Sequence, residues 1–409
     1  MGARTDEATI RDPLPDVVIT ADAHVGEPED LRRRLPEAFR DTLPEFGVDA
    51  DGNLEFKVKG KVVDGQPGCN PTEEDLLREF RSDPSQGTDL DRRLHDMAIE
   101  GIDAQVVFPN IGLCCSLGDE SAAYYHAWAH AYNDYVWDTF AGQPERFKPA
   151  AMLAIDNVEE TLAEAERCIK KGFCTLFLPA VVPWQPYRLP LYEPLWSLTE
   201  EAGIPLNFHV FSGNMALRGD FASVADLSQD RFEKAKQVGK EENATWHKEL
   251  LGTVIGLATG MSPIVELTGA GVLDRHPELQ FVVTESECGW LAWILQAMDQ
   301  MQERRYLDMK KLPLRASEYF LRQGAITISD DRVALNNVAF TGTDCLLWGN
   351  DYPHDEGTFP HSRRPIGEIK ARLSEAEAHQ VLCGNAARLY GFDPEYLATH
   401  KDEVARHLR

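Results

Sequence analysis

The chain of 409 residues is long enough for one large domain or two to three small ones, and its hydrophobic and charged fractions, 43% and 26%, are ordinary for a globular protein. A formal net charge of −26 argues against binding to nucleic acid or to an anionic membrane surface. We see no apolar run of about 18 residues for a membrane span and no secretory signal, and the eight cysteines lack CxxC spacing, so we expect reduced thiols in a cytoplasmic protein.

Eight short apolar segments are predicted to form strands, and helical patterns separate most of them. The first strand begins with the apolar run at 17–19 and leads into Asp22 and His24. The other strands are predicted at 104–109, 147–153, 174–178, 204–209, 279–285, 324–328 and 345–349. Helices are predicted at 92–100, 119–140, 158–171, 191–202, within 251–272, at 291–305 and at 374–389.

This alternation of strands and helices predicts a parallel sheet covered by helices. Eight repeats favour an α/β fold of the closed (β/α)8 TIM-barrel type, as a single domain over residues 1–409, with function at the carboxyl ends of the strands. An open doubly wound sheet is the alternative, but no glycine-rich phosphate loop follows an early strand. Residues 45–90, partly β near Leu54, are predicted to form an insertion or lid over the barrel mouth, and residues 211–250 a second loop or lid.

Polar side chains stand at the ends of four predicted strands. Asp22 and His24 are two apart on the first strand, so both should point to the same side. His209 ends the fifth strand, Glu285 ends the sixth, and the eighth runs into Asp351. Each residue alone could be a cap or a turn residue. Together they predict a divalent metal site at one rim of the barrel, because such ions accept imidazole and carboxylate ligands.

Further donors lie on the same loops. Glu27 follows the first strand, His354 and Glu356 follow Asp351, and His361 lies close enough to remain open as a ligand. The whole set offers more donors than one four-coordinate Zn2+ needs. Mixed nitrogen and oxygen donors suit two Fe or Mn ions. The sequence does not decide which of these additional residues are ligands.

Four motifs carry a resemblance to a known family: Asp22-Ala-His24-Val-Gly-Glu27-Pro28, Asn207-Phe-His209, Glu285-Ser-Glu-Cys-Gly-Trp290 and Trp348-Gly-Asn-Asp351-Tyr-Pro-His354-Asp-Glu356-Gly. Over almost its whole length the chain resembles the amidohydrolase-related, metal-dependent TIM-barrel family, which includes aminocarboxymuconate-semialdehyde-type and aromatic-acid decarboxylases. The resemblance implies one divalent metal, with the ligands Asp22, His24, His209 and Asp351. The chain departs from the family at Glu285, where decarboxylases commonly carry an acid–base histidine.

This departure and the carboxylate-rich loops make the chain resemble a branch of nonheme di-iron monooxygenases, which hydroxylate CoA-linked substrates in terpenoid and related metabolism. The resemblance implies two Fe ions, and the expected ligands are Asp22, His24, His209, Glu285 and Asp351, with help from some of Glu27, His354 and Glu356. The expected organic substrate is hydrophobic, and acyl-CoA esters are among the candidates. It would lie against Trp184, Phe211, Trp290 and Tyr352. An external, ferredoxin-type electron donor is expected, because the chain shows no flavin or nicotinamide fingerprint.

The alternative prediction is a metal-dependent hydrolase or decarboxylase with one Zn or Mn ion. In that case the metal would activate a bound water or polarise the substrate, and Asp351 or Glu285 would move the proton. A binding protein on a degenerate barrel is a third hypothesis, which the intact ligand set disfavours. A small-molecule substrate is the expected partner, and a homodimer is the expected oligomeric state.

Overall fold

The computed structural model contains a barrel of parallel strands surrounded by helices. It describes residues 17–26, 29–42, 45–48, 54–58, 61–66, 87–114, 122–213, 254–304, 312–354 and 356–408. The strands are β1 (Ile19–Val25), β2 (Glu45–Val48), β3 (Leu54–Val58), β4 (Lys61–Gln66), β5 (Ala104–Pro109), β6 (Phe147–Pro149), β7 (Ala151–Met152), β8 (Leu176–Val181), β9 (Leu206–Gly213), β10 (Phe281–Thr284), β11 (Gly324–Ile328) and β12 (Leu346–Trp348).

The barrel strands form a closed ring. One ladder has the order β1-β5-β6 and a second has the order β7-β8-β9-β10-β11-β12, with parallel pairing throughout. Ala150 lies between β6 and β7 and donates to Val107 of β5 at 2.9 Å, so β6 and β7 occupy one strand position. A parallel bridge between Ala23 and Tyr352 joins β1 to the residues after β12. The predicted TIM barrel is confirmed.

Most residues of the barrel strands are apolar, because neither face of the sheet meets water. Val282 and Val283 of β10, Ile326 of β11 and Leu347 of β12 are all buried. Helices cover the outside of a parallel barrel and side chains fill its interior. This burial explains why the sequence shows short apolar runs instead of an alternating pattern.

The helices begin and end at residues with capping chemistry. Asp89 and Asn157 cap the starts of two helices with their side chains. Gly101, Gly172 and Gly203 end three helices in the left-handed conformation, directly after the residues at which these helices were predicted to end. The α-helices are Glu29–Arg34, Leu90–Glu100, Ala122–Phe140, Val158–Lys171, Glu193–Ala202, Met261–Gly269, Val272–Arg275, Leu291–Arg304, Ala316–Gln323, Arg332–Asn336, Val338–Thr341, Arg363–Arg372, Glu375–His379, Asn385–Tyr390, Pro394–Thr399 and Lys401–Ala405.

The third predicted strand, 147–153, is interrupted between β6 and β7. Asn133 of helix Ala122–Phe140 reaches this point: its amide nitrogen donates to the carbonyl oxygen of Met152 at 2.9 Å, and its amide oxygen accepts from the Met152 N–H at 2.7 Å. This side chain supplies the hydrogen bonds that a neighbouring strand would otherwise make. The sequence pattern of the strand alone did not show the interruption.

The single helix predicted at 374–389 is divided into three segments. Glu375–His379 and Asn385–Tyr390 are α-helical, and the residues between them, Gln380–Gly384, form a π-helical turn. After this turn the Asn385 amide donates to the carbonyl oxygens of Thr343 and Leu346, both at 2.7 Å. These bonds fix the segment to the start of β12.

Strands β2, β3 and β4 form a separate antiparallel sheet inside the predicted insertion at 45–90. Residues 67–86, and residues 214–253 of the second predicted lid, lie outside the described ranges, so both lids stay predictions. Within those ranges, no helix combines the length and the apolar character that crossing a membrane requires.

Candidate metal centre

Strand β1 places two donors in the barrel mouth. Asp22 and His24 are buried, and the Nε2 atom of His24 lies 3.5 Å from Oδ1 of Asp22. The pairing of β1 with β5 shifts register between Thr20 and Ala23, so the strand is irregular where it carries Asp22. The two side chains nevertheless converge, as their spacing predicted.

Strands β9 and β10 bring two more donors to the same point. The Nε2 atom of His209 lies 3.4 Å from Oδ1 of Asp22 and 3.3 Å from Oε2 of Glu285. Glu285 Oε2 also lies 3.7 Å from Nε2 of His24. Both strands end on the same side of the barrel because they are parallel, and this places the two residues next to Asp22.

The loop after β12 completes the cluster. Oδ1 of Asp351 lies 3.2 Å from Nε2 of His24 and 2.8 Å from Nδ1 of His354. The His354 ring stacks on the His24 ring with a centroid distance of 4.0 Å. Asn110, which follows β5, lies 2.9 Å from Nε2 of His354 through its amide oxygen. His354 is therefore held between the cluster and the end of β5.

The imidazole rings of His24 and His209 are oriented by backbone carbonyls. Nδ1 of His24 lies 2.8 Å from the carbonyl oxygen of Pro109, and Nδ1 of His209 lies 2.9 Å from that of Val210. A carbonyl oxygen only accepts, so Nδ1 carries the hydrogen and donates in both rings. Nε2 of each ring faces the centre of the cluster, and when the ring is neutral the lone pair of this atom is available to a metal ion.

Several polar atoms at this centre are buried without a hydrogen-bond partner among the residues that the structure describes: Asp22 Oδ1, His24 Nε2, His209 Nε2, Asp351 Oδ1 and His354 Nδ1. Such atoms are expensive to bury unpaired. The donor atoms at this centre form two overlapping groups, and within each group the atoms lie within 4.8 Å of one another. One group contains His24, Glu285, Asp351 and His354, and the other contains Asp22, His24 and His209. The donor set fits a divalent cation.

Two carboxylates of the cluster, those of Asp22 and Asp351, are held in their ionised form. Burial raises the pKa of Asp22, but the neighbouring His209 and His24 imidazoles outweigh it, so that the pKa lies below the usual value. Burial likewise raises the pKa of Asp351, and His354 and His24 outweigh it by a wide margin. Both residues are therefore in the protonation state of a metal ligand at neutral pH.

The two histidines of the cluster shift in opposite directions. Burial lowers the pKa of His24, but Asp22 and Asp351 outweigh it and raise the pKa to about 10. His209 is also fully buried, and there burial dominates, so its pKa falls below the usual value. The apoprotein thus concentrates one positive charge on His24, between two carboxylates.

The backbone is strained at three of these strand ends. Phe211, Glu285, Glu287 and Asp351 have φ angles of 56°, 60°, 45° and 55°, which non-glycine residues seldom adopt. The Glu285 N–H donates to the Thr327 hydroxyl at 2.7 Å, and the Asp351 N–H donates to the Asp22 carbonyl at 3.0 Å. Neighbouring strands thus hold the strained residues in place.

Glu27 lies outside the described residues, so its place among the ligands stays a prediction. Glu356 and His361 are exposed and are not among the donors that converge in the described part of the chain. After Asp351 the chain turns back on itself, with the Gly357 N–H donating to the His354 carbonyl at 3.2 Å. This turn leaves Glu356 in solvent, so its expected place among the ligands is corrected.

The predicted pocket residues have different surroundings. Trp184, Phe211 and Trp290 are half-buried, and Nε1 of Trp290 donates to the Ser286 carbonyl at 3.1 Å. Tyr352 is buried, and its hydroxyl donates to Oδ2 of Asp96 at 2.9 Å, so its polar end is turned toward helix Leu90–Glu100. Contact of these four residues with a substrate stays a prediction.

Sequence reasoning missed Asn110 and Arg93. Asn110 directly follows a predicted strand, so the same strand-end argument that found His209 would have found it. Arg93 lies on a helix in a charged stretch and donates to the backbone carbonyl of His24, and no sequence pattern indicated that contact.

The sequence profile of the amidohydrolase family matches residues 19–392. A gamma-resorcylate decarboxylase from Polaromonas sp. (strain JS666) is 23% identical over 323 residues, which cover 73% of this chain and 86% of that protein. The crystal structure of the amidohydrolase map2389c from Mycobacterium avium subsp. paratuberculosis K-10 superposes with a TM-score of 0.71 at 19% identity, covering 93% of this chain and 100% of that one. A dihydroxybenzoic acid decarboxylase from Polaromonas sp. JS666, solved with bound manganese and the inhibitor 2-nitroresorcinol, superposes with a TM-score of 0.60 at 19% identity, covering 92% and 97%.

These relatives overturn the prediction of a di-iron monooxygenase, because they are decarboxylases and not oxidoreductases. The requirement for O2, a ferredoxin-type donor and an acyl-CoA substrate rested on that prediction and falls with it. That prediction rested on Glu285 and on the carboxylate-rich loops, and of these loop carboxylates Glu356 is exposed. The profile match spans most of the chain, so this protein is an enzyme of the amidohydrolase family.

Proposed function

We propose that this enzyme is a metal-dependent decarboxylase of a hydroxylated aromatic carboxylic acid. The observation that carries the proposal is the buried set of unpaired nitrogen and oxygen atoms at the carboxyl ends of β1 and β9 and in the loop after β12. The curated relatives named gamma-resorcylate decarboxylase supply the reaction and the substrate class.

One Mn2+ or Zn2+ is the metal that the donors favour, because they are imidazoles and carboxylates and the cluster contains no thiolate among the described residues. We assign Asp22, His24, His209 and Asp351 as its ligands. When bound, the metal would supply Lewis-acid polarisation of the substrate's oxygen atoms. His354 lies within reach of the same cluster and is a further proposed donor.

In this reaction the substrate carboxylate leaves as CO2, and one proton takes its place on the ring carbon. The proposed proton carrier is Glu285, whose Oε2 faces Nε2 of both His24 and His209. Asp351 is less suited to donate a proton, because its lowered pKa keeps it ionised. The half-buried Trp184, Phe211 and Trp290 are the proposed apolar walls, which would exclude water from the ring.

A direct assay tests this function. Purified protein loaded with Mn2+ or Zn2+ is incubated under argon with 2,6-dihydroxybenzoate and related hydroxybenzoates in D2O, and CO2 release and deuterium on the ring carbon are measured. We expect both products in equal amounts, without any reductant. Hydrolysis of an ester, amide or lactone with no CO2 from any carboxylic acid would favour the hydrolase alternative and contradict the proposal.

Replacing the proton carrier separates its role from that of the ligands. Glu285→Gln should retain bound metal and lose turnover by about 100-fold or more, because the amide cannot donate a carboxylic proton. Glu356→Gln is the matched control, since it removes an exposed carboxylate from a neighbouring loop. Retention of full turnover by Glu285→Gln would assign the proton transfer to another group.

A further inference from the structure

A buried arginine lies directly behind the metal cluster. Arg93, on helix Leu90–Glu100, has no exposed surface. We propose that Arg93 is a positioning residue that fixes the backbone of His24 and thereby sets the affinity of the site for its metal. This inference rests on the proposed metal site, and it adds a residue that never touches the ion.

Three nitrogen atoms of Arg93 bond to fixed acceptors. Nη2 donates to the carbonyl oxygen of His24, Nε donates to that of Gly87 at 3.1 Å, and Nη1 donates to the side-chain oxygen of Gln105 at 2.8 Å. Gln105 lies on β5, the neighbour of β1. The guanidinium therefore ties the ligand-bearing end of β1 to its neighbouring strand.

The same group reaches the opposite side of the site. The Arg93 guanidinium lies 5.1 Å from the centre of the Tyr352 ring and 5.5 Å from that of Phe140, distances typical of cation–π contacts. Tyr352 directly follows Asp351, and its carbonyl oxygen accepts from the His24 N–H. The peptide groups on both sides of His24 are thus held, one by Tyr352 and the other by Arg93.

The burial of Arg93 needs an explanation beyond stability. Removing a guanidinium from water is costly, and an apolar side chain would often stabilise such a position equally well. The fork of N–H groups does what an apolar residue cannot, because it fixes the direction of a carbonyl oxygen. Rigid support of this kind commonly changes metal affinity by about 10- to 100-fold.

The chain surrounding Arg93 is fitted closely to it. Gly87 has a φ angle of 74°, and a methyl group at its Cα would lie 2.6 Å from Nη2 of Arg93 and 3.1 Å from the His24 carbonyl oxygen. A glycine is required there on both grounds. The close approach of Gly87 limits the movement of the guanidinium on this side.

The protein offers a matched control at the other end of the barrel. Arg146 is also buried and also donates to backbone carbonyls, to Asp103 at 3.1 Å and to His400 at 2.6 Å. Asp103 precedes β5 and Arg146 precedes β6, so these bonds lie at the amino ends of the strands, remote from the metal cluster. Loss of either arginine should lower stability, but only Arg93 should affect the metal.

The test compares full-length wild type, Arg93→Lys and Arg146→Lys after the metal has been removed with a chelator. Mn2+ binding is titrated by calorimetry, and melting temperatures are recorded with and without saturating Mn2+. We expect Arg93→Lys to raise the Kd for Mn2+ by about 10- to 100-fold and to reduce the metal-induced rise in Tm. Arg146→Lys should lower the Tm of the apoprotein and leave the Kd within about twofold of wild type.

An unchanged Kd in Arg93→Lys, or an equal loss in Arg146→Lys, would overturn the inference. If Arg93→Lys does not fold, Gln105→Met removes one acceptor and leaves the arginine in place; it should weaken Mn2+ binding about fivefold, as for one lost hydrogen bond, and an unchanged Kd there overturns the inference as well. Wild type that binds Mn2+ but releases no CO2 contradicts the proposed function and leaves the role of Arg93 standing. Wild type that binds neither Mn2+ nor Zn2+ overturns both.

Discussion

The two ring nitrogens of His24 and of His209 have different surroundings, and the pattern is the same in both rings. Nδ1 of each ring donates to a backbone carbonyl, and Nε2 is buried with no hydrogen-bond partner in the described part of the chain. This arrangement fixes each ring before any ligand arrives, so little ordering is left for the metal to impose. A bound cation would remove the desolvation cost of these nitrogens, and the folded state should therefore be stabilised by metal.

At this scale we predict that His209→Ala abolishes the stabilisation by metal. Saturating Mn2+ at about 100 times its Kd should stabilise wild type by about 2.7 kcal/mol, and the variant should show a small fraction of this. His276→Ala is the matched control, because His276 is also buried but bonds to Glu193 and Glu200 on the outside of the barrel. Calorimetric melting with Mn2+ and with EDTA measures both. A full metal-induced rise in Tm for His209→Ala would remove this residue from the ligand set.

Between elements, one buried carboxylate joins two neighbouring helices and a strand. Glu164 of helix Val158–Lys171 accepts from Arg167, from His130 and from Asn133, and Asn133 in turn supports Met152 in the interrupted strand. Burial raises the pKa of Glu164, but Arg167, His130 and Asn133 outweigh it, so the pKa lies far below the usual value of 4.5.

This lowered pKa predicts an acid-sensitive contact between the helices. Because the folded pKa of Glu164 is below its unfolded value, its contribution to stability is complete above about pH 4.5 and is lost as the pH falls through the folded pKa. The unfolding free energy of wild type should therefore decrease more steeply below about pH 4.5 than that of Glu164→Gln, which has no titrating group there. Urea unfolding at a series of pH values measures the two slopes. Parallel slopes would show that Glu164 titrates alike in both states.

The elements also show which parts of the fold a sequence can reveal. Strand β5 and helix Val158–Lys171 were predicted to the residue, because the chain itself carries their apolar pattern and end signals. The interruption between β6 and β7 was not, and Asn133, which bonds to Met152 beside it, lies on a different element. In the site, the strand-end donors were predictable for the same local reason, whereas Glu356 was misjudged because only the turn at Gly357 decides where it points.

In the whole molecule, the barrel closes between segments that are far apart in sequence. The Asn350 N–H donates to the Thr20 hydroxyl at 2.9 Å across a separation of 330 residues, and the Asp351 N–H donates to the Asp22 carbonyl at 3.0 Å. These bonds lie beside the metal cluster and join its first ligands to its last. Stability and the geometry of the site therefore depend on the same seam.

We predict that Thr20→Val weakens this seam, because it leaves the buried Asn350 N–H without its acceptor at nearly constant side-chain volume. The expected loss in unfolding free energy is about 1–3 kcal/mol. Thr399→Val is the control: its hydroxyl is exposed and bonds within its own helix, so a change within about 0.5 kcal/mol is expected. Urea denaturation measures the unfolding free energy of both variants. Equal losses would show that the hydrogen bonds at this seam contribute no more to stability than an exposed one.

The homodimer stays a prediction.

The type of reaction could not be read from the sequence. The donors were recognisable at four strand ends, but the choice between oxygenation and decarboxylation depended on relatives. Nitrogen and oxygen donors of this kind serve both chemistries, so residue types alone could not decide between them.

The separation between Thr20 and Asn350 has a consequence for synthesis in the cell. A ribosome delivers Asp22 and His24 early and Asp351 only after more than three quarters of the chain has emerged. Until then the early donors have no counterpart and the cluster cannot assemble. Chains that stall or are cleaved before β12 are consequently unable to build the site, so loading with metal would distinguish finished molecules from fragments.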